Sequence, residues 1–269
     1  MSSSSLKLLL IIFFCACAPV APDAAQKPAQ PTRSASIPAV PLRPPSARSI
    51  PAGPLGDMIR LGRNIMMDTP KYASQYTGNA LKCSDCHING GTVALASPLG
   101  GVTTLFPQFS ARAGRVITIE DRLNECFVRS ENGKPLPSSS REMIAMVAYM
   151  TWLSQGVPVG STVVGRGLPR LTPPAHVDAA AGAKIYAQSC SVCHGADGQG
   201  TPGMAPPLWG PHSANNGAGI TKAPKMAAFV KANMPPTAPG SLSVQQAFDV
   251  STFVDSHSRP HYNHAYDNF

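Results

Sequence analysis

Two pentapeptides in this chain, Cys83-Ser84-Asp85-Cys86-His87 and Cys190-Ser191-Val192-Cys193-His194, set two thiols and an imidazole at a fixed spacing. Thiols two residues apart can add across the vinyl groups of a porphyrin, and the histidine that follows is then placed against the iron as its proximal ligand. One copy could be a redox Cys-x-x-Cys pair. Two copies, each between helical patterns, point to two covalently bound c haems. A disulfide framework would leave both histidines without a purpose.

Haem iron takes a second axial ligand. After the second motif the candidates are Met204, Met226, Met234 and His212. Met234 stands in Ala232-Asn233-Met234-Pro235-Pro236, just before the last helical pattern, where prolines stiffen the loop that presents a sulfur. Met204, soon after the motif, reads as packing at the haem edge, since a buried methionine is more often core filler than ligand. At nearly the same distance beyond the first motif the chain offers Cys126 instead. It is also the cysteine left over once four are taken by haems and Cys15 and Cys17 fall at the N-terminus. A buried inert thiol and an intermolecular disulfide are the alternatives.

A thiolate ligand is electron-rich, and nearby cations keep it deprotonated. Arg112, Arg115, Arg122 and Arg129 lie around Cys126 in sequence. Pairing with Glu120, Asp121, Glu125 or Glu131, or with haem propionates, accounts for one or two of them. The planar guanidinium fork also suits a tetrahedral oxyanion.

The elements that must position these groups repeat one plan: helix, Cys-x-x-Cys-His, loops, helix. Leu55, Met58, Ile59, Gly62, Ile65 and Met66 mark a first helix, and Met143, Ile144, Val147, Met150 and Trp152 mark a face of the helix that closes the first unit. Ala181, Gly182, Ile185 and Tyr186 open the second unit, and Val244, Ala247, Phe248, Val250, Phe253 and Val254 close it. The expected fold is all-α: two tandem cytochrome c-type domains, each around one haem, at 55–155 and 176–259. Residues 156–175 form a linker and 260–269 an unassigned tail.

With 28 prolines and 23 glycines in 269 residues, and only 13% charged, the chain is loop-rich. The formal charge of +8 includes Lys7, Lys27, Arg33, Arg43 and Arg48 near the N-terminus. Elsewhere there is no Lys/Arg run interleaved with aromatics, which excludes nucleic acid as a partner. Lys7 followed by the apolar stretch Leu8 to Phe14 reads as an export signal within residues 1–17, too short to span a bilayer. Phe14-Cys15-Ala16-Cys17 looks like a loose lipobox, which would leave Cys17 lipidated; cleavage after Ala18 or Ala25 is the other reading. Residues 18–54, rich in Pro, Ala and Ser, are expected to form a disordered tether, with the protein in the periplasm.

Taken together, the two haem motifs, Asn124-Glu125-Cys126-Phe127-Val128-Arg129-Ser130 and the following Asn132-Gly133-Lys134-Pro135-Leu136 resemble the bacterial dihaem thiosulfate dehydrogenases over roughly residues 55–257. The resemblance implies oxidative coupling of two thiosulfates to tetrathionate, a reaction some members run in reverse, with electrons passed to a periplasmic cytochrome or similar acceptor. It implies an active-site haem on Cys83 and Cys86 with His87 and Cys126 as axial ligands. Arg112, Arg122 and Ser130 then match pocket-lining positions, and an exit haem on Cys190 and Cys193 takes His194 and Met234. Some relatives carry Lys before that methionine and can exchange ligands; Asn233 stands there in this chain. Two other readings stay open: a dihaem electron carrier with no substrate of its own, and a sulfur-oxidation-pathway cytochrome subunit acting on carrier-bound sulfur.

Overall fold

The computed structural model describes residues 39–269. The expected signal and lipobox, and the first part of the expected tether, lie outside the described residues. Nine α-helices and four short strands are present among the described residues. The helices are α1 (Pro54–Met67), α2 (Thr69–Tyr72), α3 (Ile88–Gly91), α4 (Ile119–Arg129), α5 (Arg141–Leu153), α6 (Ala179–Ser189), α7 (Ser191–His194), α8 (Ala223–Asn233) and α9 (Val244–Asp255). Strands β1 (Ala39–Val40) and β4 (Thr162–Val163) pair in parallel, and β2 (Gln108–Ser110) and β3 (Arg115–Ile117) form an antiparallel hairpin.

In each half the helix before the haem motif crosses the helix that closes the half, and a glycine permits the crossing. A Cβ on Gly62 of α1 would overlap the Ala145 carbonyl of α5 and lie 2.8 Å from Tyr149 Cβ. On Gly182 of α6 it would overlap the Asp249 carbonyl of α9 and lie 3.0 Å from Phe253 Cβ. The backbones can approach this closely only where a side chain is missing. Duplication is thus visible in the packing as well as in the motifs.

Local sequence starts these helices. Pro54 sits at the first position of α1. Ser140 caps α5 through Met143 N–H, Asp178 caps α6, and Ser243 with Gln246 forms a reciprocal capping box at α9. The first core gathers Ile59, Ile65, Met66, Leu123, Phe127, Met143, Met146, Tyr149 and Leu153. The second is smaller and aromatic, with Tyr186 5.0 Å from Trp209 and 5.5 Å from Phe253, centroid to centroid.

Several expectations need correction. Leu55 and Ile144 face solvent, and Met146 and Tyr149 take the buried places on α5. The crossing at Gly62 turns α5 so that Tyr149 points inward and its hydroxyl donates to Gly90 O at 3.0 Å. The described part of the expected tether is not free chain, because β1 pairs with β4 and Ile50 packs in the first core. Nor does the expected linker hang loose: Gly165 O and Gly167 O accept from Leu95 N–H (2.8 Å) and Ser97 N–H (3.0 Å). The tail docks as well, through Asn216 N–H to Pro260 O and Tyr262 N–H to Asn216 Oδ1.

Helix α4, which carries Cys126, ends against the second half. The last carbonyls of a helix have no partner within it. Here Cys126 O accepts from Ser130 N–H, Phe127 O from Gly133 N–H, Val128 O from Asn215 Nδ2 and Arg129 O from Asn215 N–H. Two of the four are supplied by one buried asparagine from the second haem domain.

Candidate active site

Cys83 opens a tight turn at which Thr69 Oγ1 accepts from Cys83 N–H at 3.0 Å and Asp85 accepts from Lys82 N–H at 2.8 Å. The turn closes with His87 N–H on Cys83 O. His87 Nδ1 lies 2.6 Å from Ser97 O. A carbonyl can only accept, so Nδ1 carries a proton and Nε2 is the ring nitrogen left to face the cavity, the one that can ligate a metal when it is unprotonated. The linker therefore has a task, since Gly167 holds Ser97, and Ser97 orients His87.

Cys83, Cys86, His87, Cys126, Arg122, Ser130 and Glu131 line one cavity, with Met66, Leu99, Phe127, Met146 and Met150 as apolar wall. The Cys126 sulfur is within hydrogen-bonding reach of the His87 ring, and it accepts from Arg122 Nη1 at 3.2 Å. Burial pushes the Cys126 thiol up, but the Arg122 guanidinium and His87 outweigh it and bring the thiol down to about 7. Three other cysteines behave oppositely. Burial pushes Cys86 up to about 12 and Cys190 up to about 11, and holds Cys83 well above its usual range. Cys126 thus stands apart as the thiol prepared to be an anion. All five described cysteines are free of disulfides. Two attachable thiols and an oriented imidazole in an apolar cavity are what a c haem requires, and the facing Cys126 sulfur offers its iron a further donor.

The four arginines separate. Arg122 lines the cavity. Arg112, at the tip of the β2–β3 hairpin, does not; it joins Arg122 through Glu125, whose Oε2 lies 3.8 Å from Arg112 Nη1 and 3.2 Å from Arg122 Nη1. Arg115 pairs with Asp121 at 2.8 Å. Arg129 is buried away from the cavity wall, over the Tyr262 ring at 4.4 Å, and donates to Phe269 O. Sequence reasoning missed two wall residues. Glu131 is buried with Oε2 unpartnered among the described residues, and burial raises its carboxyl well above the usual range. Arg166 arrives from the linker and donates to Gly101 O at 3.1 Å. Nothing in the spacing signals either, because both reach the cavity through tertiary packing.

The second site repeats the proximal geometry. His194 N–H bonds Cys190 O, and His194 Nδ1 lies 2.9 Å from Pro206 O. Met234 directly follows α8, with its N–H on Val230 O at 2.9 Å. Of the competing donors, Met204 is 65% exposed, His212 is exposed, and Met226 packs in the aromatic core. Asn233, beside Met234, is turned away: its Nδ2 donates to Leu95 O at 3.1 Å and Phe229 O at 3.0 Å.

Two family descriptions match, "SoxA/TsdA, cytochrome c domain" over residues 71–159 and "Cytochrome c" over 179–258. The thiosulfate dehydrogenase of Allochromatium vinosum is 46% identical over 86% of this chain and 86% of its own length. The chain belongs to the thiosulfate dehydrogenase family. Another family member, from Thiomonas intermedia, is 43% identical over 76% of this chain and 67% of its own. The solved thiosulfate dehydrogenase (TsdBA) of Marichromatium purpuratum superposes with a TM-score of 0.77 at 38% identity, over 81% of this chain; this chain spans 49% of that one. With two cytochrome c domains, the family fold carries two covalently bound c haems.

Proposed function

We infer that this protein is a thiosulfate dehydrogenase that couples two thiosulfates into tetrathionate. The observation that carries the reading is the Cys126 sulfur, which accepts from Arg122 Nη1 at 3.2 Å while it faces His87 in the first cavity. Each haem, when bound, supplies a one-electron acceptor.

The chain's own residues account for the rest. Two dianions repel each other as their sulfurs approach, and guanidiniums in a partly dry site offset that repulsion. Arg122, aligned by Glu125, neutralises the thiosulfate nearest Cys126, and the Ser130 hydroxyl on the cavity wall is available to a sulfonate oxygen. The Cys126 thiolate bonds to the sulfane sulfur of the first thiosulfate, and two electrons leave. The sulfane sulfur of the second thiosulfate then attacks this S-thiosulfonate. A new S–S bond forms, the bond to Cys126 breaks, tetrathionate departs and the thiolate is restored. No proton is consumed, consistent with a site whose guanidinium draws the Cys126 thiol down to about 7.

In this reading His87 and Cys126 would hold the first haem iron, and His194 and Met234 the second. The position of Met234 at the end of α8, and the exposure or core burial of its rivals, support the second pair. Export to the periplasm, a lipidated Cys17 and a small cytochrome as electron acceptor complete the proposal, resting on the N-terminal sequence and on the chemistry. The Cys126→Gly variant tests it: haem content should equal that of the parent while thiosulfate oxidation with an artificial acceptor is lost. Full activity in that variant would leave a two-haem electron carrier.

A further inference from the structure

A reaction that joins two dianions needs two anion sites; of the cavity-wall cations Lys82, Arg122 and Arg166, only Arg122 touches the Cys126 sulfur, and Arg166 is bonded to Gly101 O. The next cations outward from Cys126 follow a continuous line. Arg122 touches the Cys126 sulfur and shares Glu125 Oε2 with Arg112, which sits at the loose end of that pair, at 3.8 Å against 3.2 Å. Beyond Arg112 lies Gly219 of the second haem domain. A Cβ at Gly219 would stand 3.7 Å from Arg112 Nη2 and 3.0 Å from Lys225 Nζ. The hairpin tip of one domain and the first turn of α8 in the other thus bring a guanidinium and an ammonium to the same glycine.

Lys225 is exposed and has no carboxylate within ion-pair distance among the described residues. The loop that leads to it is nonetheless tied to the end of α4. Asn215, in the same loop as Gly219, caps the α4 carbonyls, and Ala218 N–H closes the loop on Asn215 O. Arg112 and Arg122 share the single carboxylate of Glu125, and Lys225 adds a third cation with no carboxylate of its own among the described residues. An excess of positive charge beside a bare glycine backbone is suited to a small, doubly charged oxyanion.

We propose that Arg112 and Lys225, facing each other across Gly219 at the domain boundary, form the subsite for the second thiosulfate dianion, so that the second haem domain completes the substrate site of the first. This rests on the reading of the protein as a thiosulfate dehydrogenase. The subsite holds the sulfonate end of the incoming molecule while its sulfane sulfur reaches the sulfur bound at Cys126. Lys225 binds substrate without touching the first thiosulfate.

The test is steady-state kinetics of the haem-loaded Lys225→Gln and Lys225→Arg proteins with an artificial acceptor. It is joined by an anaerobic optical titration of the oxidised proteins with thiosulfate and by redox titration of both haems. Loss of one charge-assisted contact should raise the thiosulfate KM of Lys225→Gln about tenfold. The Lys225→Arg protein should recover most of that loss. The optical titration, which reads the first molecule at Cys126, and both haem potentials should match the parent. A KM within twofold of the parent in Lys225→Gln overturns the subsite. So does a shifted first-haem potential with unchanged KM, which would assign Lys225 to a haem propionate. Equal weakening of the optical titration would move Lys225 into the first subsite and also overturn the proposal. If the parent oxidises no thiosulfate, the functional reading itself falls, an outcome separate from these.

Discussion

Replacing Asn215 with Ala should loosen the helix that carries Cys126 without touching the cavity. Asn215 is 1% exposed. Its Nδ2 donates to Val128 O at 2.9 Å and Asn132 Oδ1 at 3.1 Å, and its Oδ1 accepts from Gly217 N–H at 3.1 Å. Neutral hydrogen bonds contribute about 1 kcal/mol each, and a buried group stripped of its partner costs about 1–3 kcal/mol. The backbone N–H to Arg129 O survives the change, and water can reach part of the loop that Gly217 shares. The expected loss is therefore about 2–3 kcal/mol, a fall in Tm of roughly 5–10 °C for a chain of this size. Differential scanning calorimetry of the haem-loaded protein measures it. Low-temperature EPR of the oxidised protein measures the functional side, since fraying at the end of α4 should broaden the thiolate-ligated low-spin signal and leave the second haem's signal alone. A Tm within 2 °C of the parent with an unchanged EPR spectrum would show that α4 is held by its own domain and that the cross-domain cap has no mechanical role.

Other substitutions probe separate parts of the fold and site. Gly62→Ala places a methyl against Ala145 O and Tyr149 Cβ, so α1 and α5 must separate, and denaturant unfolding should show a loss of about 1–3 kcal/mol despite the better helix propensity of alanine. Asp121 caps α4 and pairs with Arg115, whose guanidinium holds its carboxyl below the ordinary range. A lowered carboxyl stabilises the fold above its unfolded pKa and loses that contribution as pH falls through the folded one. Asp121→Ala should accordingly cost about 1 kcal/mol near neutral pH, and the gap to the parent should close below about pH 4 when stability is measured against pH. In Arg122→Gln, the Cys126 thiolate loses its charged donor, and thiosulfate oxidation should drop about 100-fold in kcat/KM with haem content intact, as read by acceptor-linked assay. In His87→Ala the first haem should still attach through Cys83 and Cys86, while its absorption spectrum loses the low-spin form.

Much of the site was legible because its chemistry is covalent and local. Cys83, Cys86 and His87 must be neighbours in sequence to act on one porphyrin, and the same holds for Cys190, Cys193 and His194. Ser243 and Gln246, or Asp178, cap their helices through bonds that span three residues or fewer. The arginines around Cys126 were legible as a group but not as individuals. Arg129 lies as near to Cys126 in sequence as Arg122 does, and Arg115 lies in the hairpin just before α4, yet of these the fold points only Arg122 at the cavity. The exposed face of α5 was misjudged for the same reason: Ile144 and Tyr149 exchange places according to where Gly62 lets α1 cross.

Sequence by itself determined two haem sites, a duplicated helical plan and a reserved cysteine at position 126, because thioether spacing, capping and helical periodicity act over a few residues. Only the tertiary structure decided that Gly167 orients His87 through Ser97, that Asn215 closes the end of α4, and that Lys225 stands beside Arg112. Electrostatic and hydrogen-bond partners are chosen by distance through space, and that distance exists only once both domains have folded against each other.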